Sequence, residues 1–172
     1  ENIDARLNQT QVQPQLDFGF AEGVRALMRQ DPDIIMIGEI RDLETAEMAV
    51  QAALTGHLVF STLHTNDAPS ALTRLIELGV PSYLLSATML GVLAQRLVRT
   101  LCAACKQPDE QASTELLSEA VKPWKINSGN YRPFKPVGCI DCRMTGFRGR
   151  MGIYELLTVS EAFKTLVHDD GA

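Results

Sequence analysis

The chain has 172 residues, 45% hydrophobic and 22% charged, which suits one globular core with room for a small second module. A formal net charge of −5 argues against general nucleic-acid binding, which needs a basic surface. The longest nearly apolar stretch, residues 84–94, is far shorter than the roughly 20 residues that cross a bilayer, so no transmembrane segment is predicted.

The first third of the chain predicts an extended arm or edge strand, then a helix, then a strand. The arm covers residues 1–17, and Asp17 is a candidate cap for a helix over about 18–30. That helix should end before Asp31-Pro32, because the residue before a proline disfavours helical geometry. The continuous apolar run 34–37 predicts a strand buried on both faces.

The alternation of helix and strand continues to about residue 101. We predict a helix over 43–54, a second buried strand over 58–62, and helices over about 68–78 and 82–101. This order is typical of an α/β fold with a mostly parallel sheet.

Composition changes after the first pair of cysteines. Residues 106–138 are rich in proline and predict a loop with one short helix near 113–121. A strand candidate at 153–157 and a helix near 160–168 complete the chain.

Three parts are therefore expected. Residues 1–101 form the α/β core, residues 102–150 a four-cysteine subdomain, and residues 151–172 a strand and helix that pack back on the core. The chain begins with Glu1 rather than Met, which we interpret as the start of an excised fragment.

An acidic residue follows the first predicted strand. The run 34–37 leads into Gly38-Glu39, the form of a Walker B element. A strand of a parallel sheet would hold the Glu39 carboxylate at the sheet edge where ligands bind, to coordinate Mg²⁺ or orient a water. The pattern alone is weak, because apolar strands that end in a solvated Glu are common.

The second strand ends in a dense polar cluster that includes Thr62 and His64. Neighbouring parallel strands would bring this cluster beside Glu39, where His64 can donate to a terminal phosphate. A structural hydrogen bond or helix cap is the alternative role for His64. Asp67 is better explained as the cap of the next helix.

Arginines suited to phosphate contacts lie near these motifs. Arg25 and Arg29 share a helix face, and Arg41 and Arg74 follow the two strands. Helix surfaces carry arginines for many other reasons, so these residues remain open as ligands.

Two Cys-x-x-Cys pairs carry the strongest single signal. Cys102 and Cys105 are separated by 33 residues from Cys139 and Cys142, and each pair has the spacing that grips one side of a tetrahedral zinc ion. A four-thiolate site is closed and therefore structural. Disulfides, an oxidised or empty pair, and another soft metal stay as alternatives.

A basic segment surrounds the second pair. Residues 131–151 hold five Lys or Arg against one Asp, a surface for acidic partners or lipid headgroups, or simply a solvated loop. No Gly-Lys dipeptide occurs in the sequence, so it contains no Walker A loop of the form G-x-x-x-x-G-K-[ST].

Taken together and in this order, the motifs resemble one family, the traffic ATPases that power type II secretion and type IV pilus assembly. The segments that carry the resemblance are 27–34, 38–47, 54–57, 61–66, 94–98, the two cysteine pairs, and 146–155.

The resemblance implies a RecA-like ATPase core that works as a hexameric ring. Gly38 and Glu39 would then be the Walker B element, and residues 56–66 the family's "His box", with Thr62 at the nucleotide and His64 near the γ-phosphate. Arg25 and Arg29 fall where family arginines contribute to the nucleotide site. The cysteines match the zinc module of secretion and pilus-extension members.

The same resemblance implies structural Zn²⁺, and Mg²⁺ with ATP in the longer parent protein. It implies a homo-hexamer on the cytoplasmic side of the bacterial inner membrane, peripheral to it, with membrane-platform components as partners and no nucleic acid. Glu1 would be the last residue of the family's acidic "Asp box". Alone, the chain is expected neither to bind ATP tightly nor to hydrolyse it. The competing hypotheses are a zinc-stabilised docking module and a nucleic-acid-binding cysteine ribbon.

Overall fold

The computed structural model describes residues 3–122 and 132–169. Residues 123–131 of the predicted proline-rich loop, and Glu1, lie outside this range. The helices are α1 (Phe20–Leu27), α2 (Leu43–Leu54), α3 (Pro69–Glu77), α4 (Ser82–Thr88), α5 (Thr114–Val121) and α6 (Glu161–Asp169). The strands are β1 (Ile34–Ile37), β2 (Leu58–Ser61), β3 (Gly91–Leu101), β4 (Gln107–Pro108), β5 (Phe134–Lys135) and β6 (Phe147–Thr158).

The chain divides into two compact units. The strand–helix unit comprises Glu1–Ala94 together with Glu155–Ala172, and the four-cysteine unit comprises Gln95–Tyr154. The division falls inside β3 and β6, which pair with each other.

In the strand–helix unit, β1 and β2 form the predicted parallel pair, with Ile34 opposite Leu58 and Ile37 opposite Ser61. Helix α2 lies between two apolar clusters. Its Met48, Ala49 and Ala52 pack with buried residues of α1 and β1, whereas Ala46 packs with buried residues of α3 and α4 and with Val80. The α/β fold class is confirmed.

The expectation that the strands are buried on both faces is wrong. Ile35 and Ile37 are 2% exposed, but Ile34 is 60% and Met36 70% exposed, and Phe60 on β2 is also exposed. Successive side chains of a strand point to opposite faces. In the described part of the chain, the apolar residues of α1 and α2 cover one face of the β1–β2 pair.

The prediction of a single helix over 82–101 is also wrong. Helix α4 ends at Thr88, and β3 runs from Gly91 to Leu101. The reason is a partner far along the chain, because β3 pairs with β6. A side chain at Gly91 would put its Cβ 2.9 Å from the backbone oxygen of Leu157, so this close approach needs glycine.

Local signals account for most of the remaining boundaries. Asp42 accepts a hydrogen bond from the Thr45 amide at 2.8 Å and caps α2, which ends as predicted before Gly56. At α1 the cap differs from the prediction. Gly19 precedes the helix, and its amide donates to Glu22 Oε2 at 3.0 Å, whereas Asp17 adopts φ 53° in the preceding turn.

The N-terminal arm forms turns and a single bridge between Gln13 and Phe18 rather than an edge strand. Strand β6 is longer than the predicted 153–157, because it pairs with the equally unforeseen β3. In the four-cysteine unit, α5 is observed where it was predicted, and the short strands β4 and β5 pair antiparallel. Among the described residues, no helix combines the length and the apolar character that spanning a bilayer requires.

Candidate functional site

Glu39 and His64 lie together at the carboxyl ends of the two parallel strands. The ladder continues past both strands, because the Ile40 amide donates to the Thr62 oxygen at 3.1 Å. This brings His64 Nε2 to 3.3 Å from Glu39 Oε2. The predicted proximity of these two side chains is confirmed. The Glu39 side chain is 18% exposed and that of His64 87%, so the acid is recessed and the imidazole faces outward.

Arg41 is the strongest partner of Glu39. Its guanidinium Nη2 lies 2.5 Å from Glu39 Oε1. The hydrogen bond from Arg41 lowers the pKa of Glu39; burial acts in the opposite direction, and the charges of Arg41 and His64 lower it further. Glu39 is therefore ionised at neutral pH. The other oxygen, Oε2, is buried and makes no well-aligned hydrogen bond within the described residues; His64 Nε2, 3.3 Å away, is the polar group that it faces.

Gly38 and Thr62 join the two strand ends that carry Glu39 and His64. Thr62 Oγ1 donates to the Gly38 carbonyl at 2.7 Å and ties the two strand ends together. A Cβ on Gly38 would lie 3.3 Å from the Phe20 ring, so packing of α1 already accounts for the glycine. Both residues lie where the prediction placed them, and their contact with a nucleotide stays a prediction.

Arg25 lies on α1, and Arg29 lies in the turn that follows it. Arg25 Nη2 is 3.7 Å from Glu44 and 3.7 Å from the Met48 sulfur, so its described partners are on α2. Arg29 is an exposed residue of the short 3-10 turn after α1. Of the residues that the sequence predicts for the catalytic and nucleotide sites, the structure brings together Gly38, Glu39, Thr62 and His64. It gives Arg25 neighbours on α2 instead.

His64 also borders an open groove of about 320 Å³. It is lined by His64, Thr65, Asn66, Ser70, Thr73, Arg74 and Glu77. Arg74, which the sequence offered as a phosphate ligand, pairs with Glu77 at 3.7 Å on this wall. The earlier histidine of the motif has a structural role, since His57 Nδ1 lies 2.9 Å from the Ala52 oxygen at the end of α2.

The four cysteines converge on one point in the four-cysteine unit. Their sulfur atoms all lie within 4.8 Å of one another, and the Cys102–Cys139, Cys105–Cys142 and Cys139–Cys142 sulfur distances are 3.9, 3.8 and 3.7 Å. Tetrahedral zinc with Zn–S bonds of about 2.3 Å requires sulfurs about 3.8 Å apart. The donor set therefore fits a four-coordinate ion, and none of the four cysteines forms a disulfide.

Backbone amides point at the sulfurs. The Gly138 amide donates to Cys105 at 3.3 Å, and the Cys139 and Gly146 amides donate to Cys142 at 3.1 and 3.2 Å. Burial raises the pKa of Cys105 to about 11. At Cys142 burial also acts upward, but the Cys139 and Gly146 amides outweigh it and lower the pKa to about 6. A divalent cation would favour the thiolate form at all four positions.

Two glycines allow this loop geometry. Gly138 and Gly146 adopt φ of 119° and 75°, and an added Cβ would lie 2.9 Å from the Met144 oxygen and 2.5 Å from the Pro136 Cβ. The loop that carries Cys139 and Cys142 therefore needs glycine at positions 138 and 146.

Two site residues were missed by sequence reasoning. Arg41 was treated only as a general phosphate ligand, although its position two residues after Glu39 on a strand end was a signal for contact. Glu155 accepts a hydrogen bond from the Ala68 amide at 2.9 Å, at the end of the loop that carries His64. No local signal predicts that contact, because 87 residues separate the partners.

Comparisons with known proteins identify the family of the chain. The family described as "Type II/IV secretion system protein" matches residues 1–172. The type IV pilus assembly ATPase TfpB of Acinetobacter baylyi is 56% identical over 99% of this chain and 29% of its own length. The type II secretion system ATPase E of Vibrio cholerae is 51% identical over 95% of this chain and 32% of its own length.

Solved structures show a similar fold. The crystal structure of the pilus retraction motor PilT with bound ADP matches with a TM-score of 0.57 and 30% identity, over 88% of this chain and 33% of that chain. The ATPase DotB of Legionella pneumophila matches with a TM-score of 0.55 and 26% identity, over 86% of this chain and 30% of that chain. The chain spans about a third of the length of the relatives it matches. With its whole length matched by one family, the chain belongs to the type II/IV secretion system proteins.

Proposed function

We propose that this chain is part of a motor ATPase that couples ATP hydrolysis to type II secretion or type IV pilus assembly. The observation that carries the proposal is the contact between Glu39 and His64 at the ends of two parallel strands. The relatives named as secretion and pilus assembly ATPases support the same reaction.

In this proposal Glu39 has the Walker B role. Its pKa is lowered chiefly by the hydrogen bond from Arg41, so it is a carboxylate at working pH, and its buried Oε2 lies 3.3 Å from His64 Nε2. A carboxylate of this kind can hold Mg²⁺ or the attacking water. Mg²⁺, when bound, neutralises charge that develops on the phosphate oxygens.

His64 has the complementary role. Its ring is largely exposed next to the recessed acid, so Nε2 can donate a hydrogen bond to a terminal phosphate. Thr62 Oγ1 and the Gly38 carbonyl tie the two strand ends together. Arg25, which pairs with Glu44 at 3.7 Å, and Arg29 are proposed as further nucleotide contacts.

The remaining parts of the proposal rest on the family resemblance of the sequence and on the cysteine geometry. Zinc at the four cysteines is structural. The protein that contains this chain assembles as a homo-hexamer, lies peripherally on the cytoplasmic side of the inner membrane, and docks on membrane components of its machine. We propose that residues 1–101, 102–150 and 151–172 are the three functional parts of the chain.

The test is Glu39→Gln in the protein that contains this chain. The substitution keeps the shape and removes the charge, so ATP turnover should fall by about 100-fold or more while nucleotide binding is retained. Glu47→Gln is the matched control, because Glu47 is exposed on α2 and should leave turnover unchanged. Turnover of Glu39→Gln within about two-fold of the control would disprove the assignment.

One observation favours a second role for the four-cysteine unit. Its sequence carries ten Lys or Arg against five Asp or Glu, whereas the rest of the chain carries six against sixteen. This charge suits docking to an acidic protein surface, the binding-module alternative, and it can coexist with ATP hydrolysis by the other unit.

A further inference from the structure

The loop that carries His64 is held at both ends. At the strand end, Thr62 Oγ1 donates to Gly38 and the Ile40 amide donates to Thr62. At the helix end, Asp67 Oδ1 accepts from the Ser70 amide at 2.8 Å, in the manner of a helix cap. These contacts are all local to the β2–α3 connection or its neighbouring strand.

A remote contact completes the helix end. Glu155 Oε2 accepts from the amide of Ala68, the residue just before α3, at 2.9 Å. Ala68 is 0% exposed, so its amide has no access to water and needs a partner from the protein. The glutamate also places a negative charge beside the N-terminus of α3, where the helix dipole favours it.

Glu155 is itself on a well-fixed backbone. The Val159 amide donates to the Leu90 oxygen at 3.1 Å, and the close approach of Gly91 to Leu157 holds the same end of β6. A side chain that reaches from this strand to Ala68 therefore limits where the preceding four residues, starting with His64, can lie.

We propose that Glu155 is a positioning residue for His64, which it acts on through Ala68 and the loop between them. This rests on the proposed function, in which His64 contacts the terminal phosphate. Glu155 does not touch the substrate. It keeps the imidazole at its place beside Glu39 by accepting the hydrogen bond of the Ala68 amide, just before α3.

The test compares three substitutions of Glu155 in the protein that contains this chain. Glu155→Gln keeps the acceptor oxygen and its reach but loses the charge. Glu155→Asp keeps the charge but is one methylene shorter, and Glu155→Ala loses both. Glu161→Ala is the control, since Glu161 is an exposed carboxylate six residues later whose described ion pair is with Lys164.

Two readouts are measured on each variant. The first is hydrogen exchange of peptides that cover residues 62–70, which reports the loop and the Ala68 amide directly. The second is steady-state ATP hydrolysis, with kcat and KM separated. We expect faster exchange in the Ala and Asp variants, with kcat lower by about 10-fold and KM within about two-fold, because misplacement of a catalytic group by a fraction of an ångström affects the chemical step. The Gln variant should keep most of the exchange protection and most of the kcat of the wild type.

The order of the variants decides the result. If Asp is closer to the wild type than Gln, charge rather than reach is what matters and the proposal is wrong; this comparison holds even if the Ala variant does not fold. Faster exchange with an unchanged kcat would equally overturn it. If the wild type hydrolyses no ATP, or Glu39→Gln has no effect, the proposed function fails, and the exchange data alone then show whether Glu155 holds the loop.

Discussion

The two units of this chain are stabilised by different means. Among the described residues, the buried apolar side chains belong almost entirely to the strand–helix unit, and in the four-cysteine unit the buried hydrophobic core consists of Cys102 and Cys142. The first unit therefore has the apolar burial that stabilises an ordinary domain, whereas the second has a sulfur cluster in place of a core.

The difference extends to charge. The four-cysteine unit has an excess of five positive charges by formal count, and the strand–helix unit an excess of ten negative ones. Four thiolates around a divalent cation would reduce the positive excess without reversing it. The acidic unit carries the Glu39–His64 pair, whereas the basic unit carries four cysteines whose geometry fits a metal ion.

The largest effect should come from removal of the metal. A structural zinc site supplies about 10 kcal/mol of folding free energy in small domains that lack an apolar core. Metal analysis should find about one zinc per chain, and a strong chelator or Cys139→Ser should abolish hydrogen-exchange protection in the four-cysteine unit while α1, α2 and β1 keep theirs. Ile140→Ser, at an exposed neighbouring residue, is the control. A metal-free protein that keeps protection in this unit would remove the contrast between the two units.

A smaller effect should come from the apolar core of the other unit. Ile35→Ala removes one of the largest fully buried side chains and should cost about 3 kcal/mol of unfolding free energy. Ile34→Ala, on the opposite and exposed face of the same strand, should cost well under about 1 kcal/mol. Urea unfolding followed by exchange of peptides in each unit measures both. Equal costs for the two variants would mean that β1 is covered on both faces in the protein that contains this chain.

The smallest effect concerns how the free energy of unfolding falls at acid pH. The folded-state pKa of Glu39 lies below its ordinary value of 4.5, so its contribution is present above that pH and is lost as the pH falls through the lowered pKa. Because Arg41 is the main cause, Arg41→Ala should move the pKa of Glu39 upward, toward its ordinary value. Carboxyl ¹³C chemical shifts of Glu39 between pH 2 and 7 measure this. Arg74→Ala, which removes an arginine paired with Glu77, is the control and should leave Glu39 unchanged.

Local signals were reliable where a segment satisfies its own backbone. Helix α2 is observed at its predicted bounds, because Asp42 caps its start and Gly56 takes the positive φ that follows its end. The cysteine spacing likewise predicted a cluster, which the sulfur distances confirm. The adjacency of Glu39 and His64 followed from parallel pairing of two neighbouring strands.

Predictions failed where a remote partner decides. Residues 91–101 form a strand because β6, more than forty residues later, pairs with them. The sequence of residues 89–101 contains no local signal that predicts pairing with β6. The burial of β1 was overestimated for a similar reason, since an apolar run does not reveal how many layers cover it.

By itself, the sequence determined the α/β class, the bounds of α2, the metal-binding pattern and the two strand ends that carry Glu39 and His64, because all of these depend on residues close together in the chain. Only the tertiary structure decided that Arg41 neutralises Glu39, that Arg25 faces α2, and that Glu155 reaches Ala68. Such contacts depend on which surfaces meet after folding, and sequence spacing carries no information about a hydrogen bond across 87 residues.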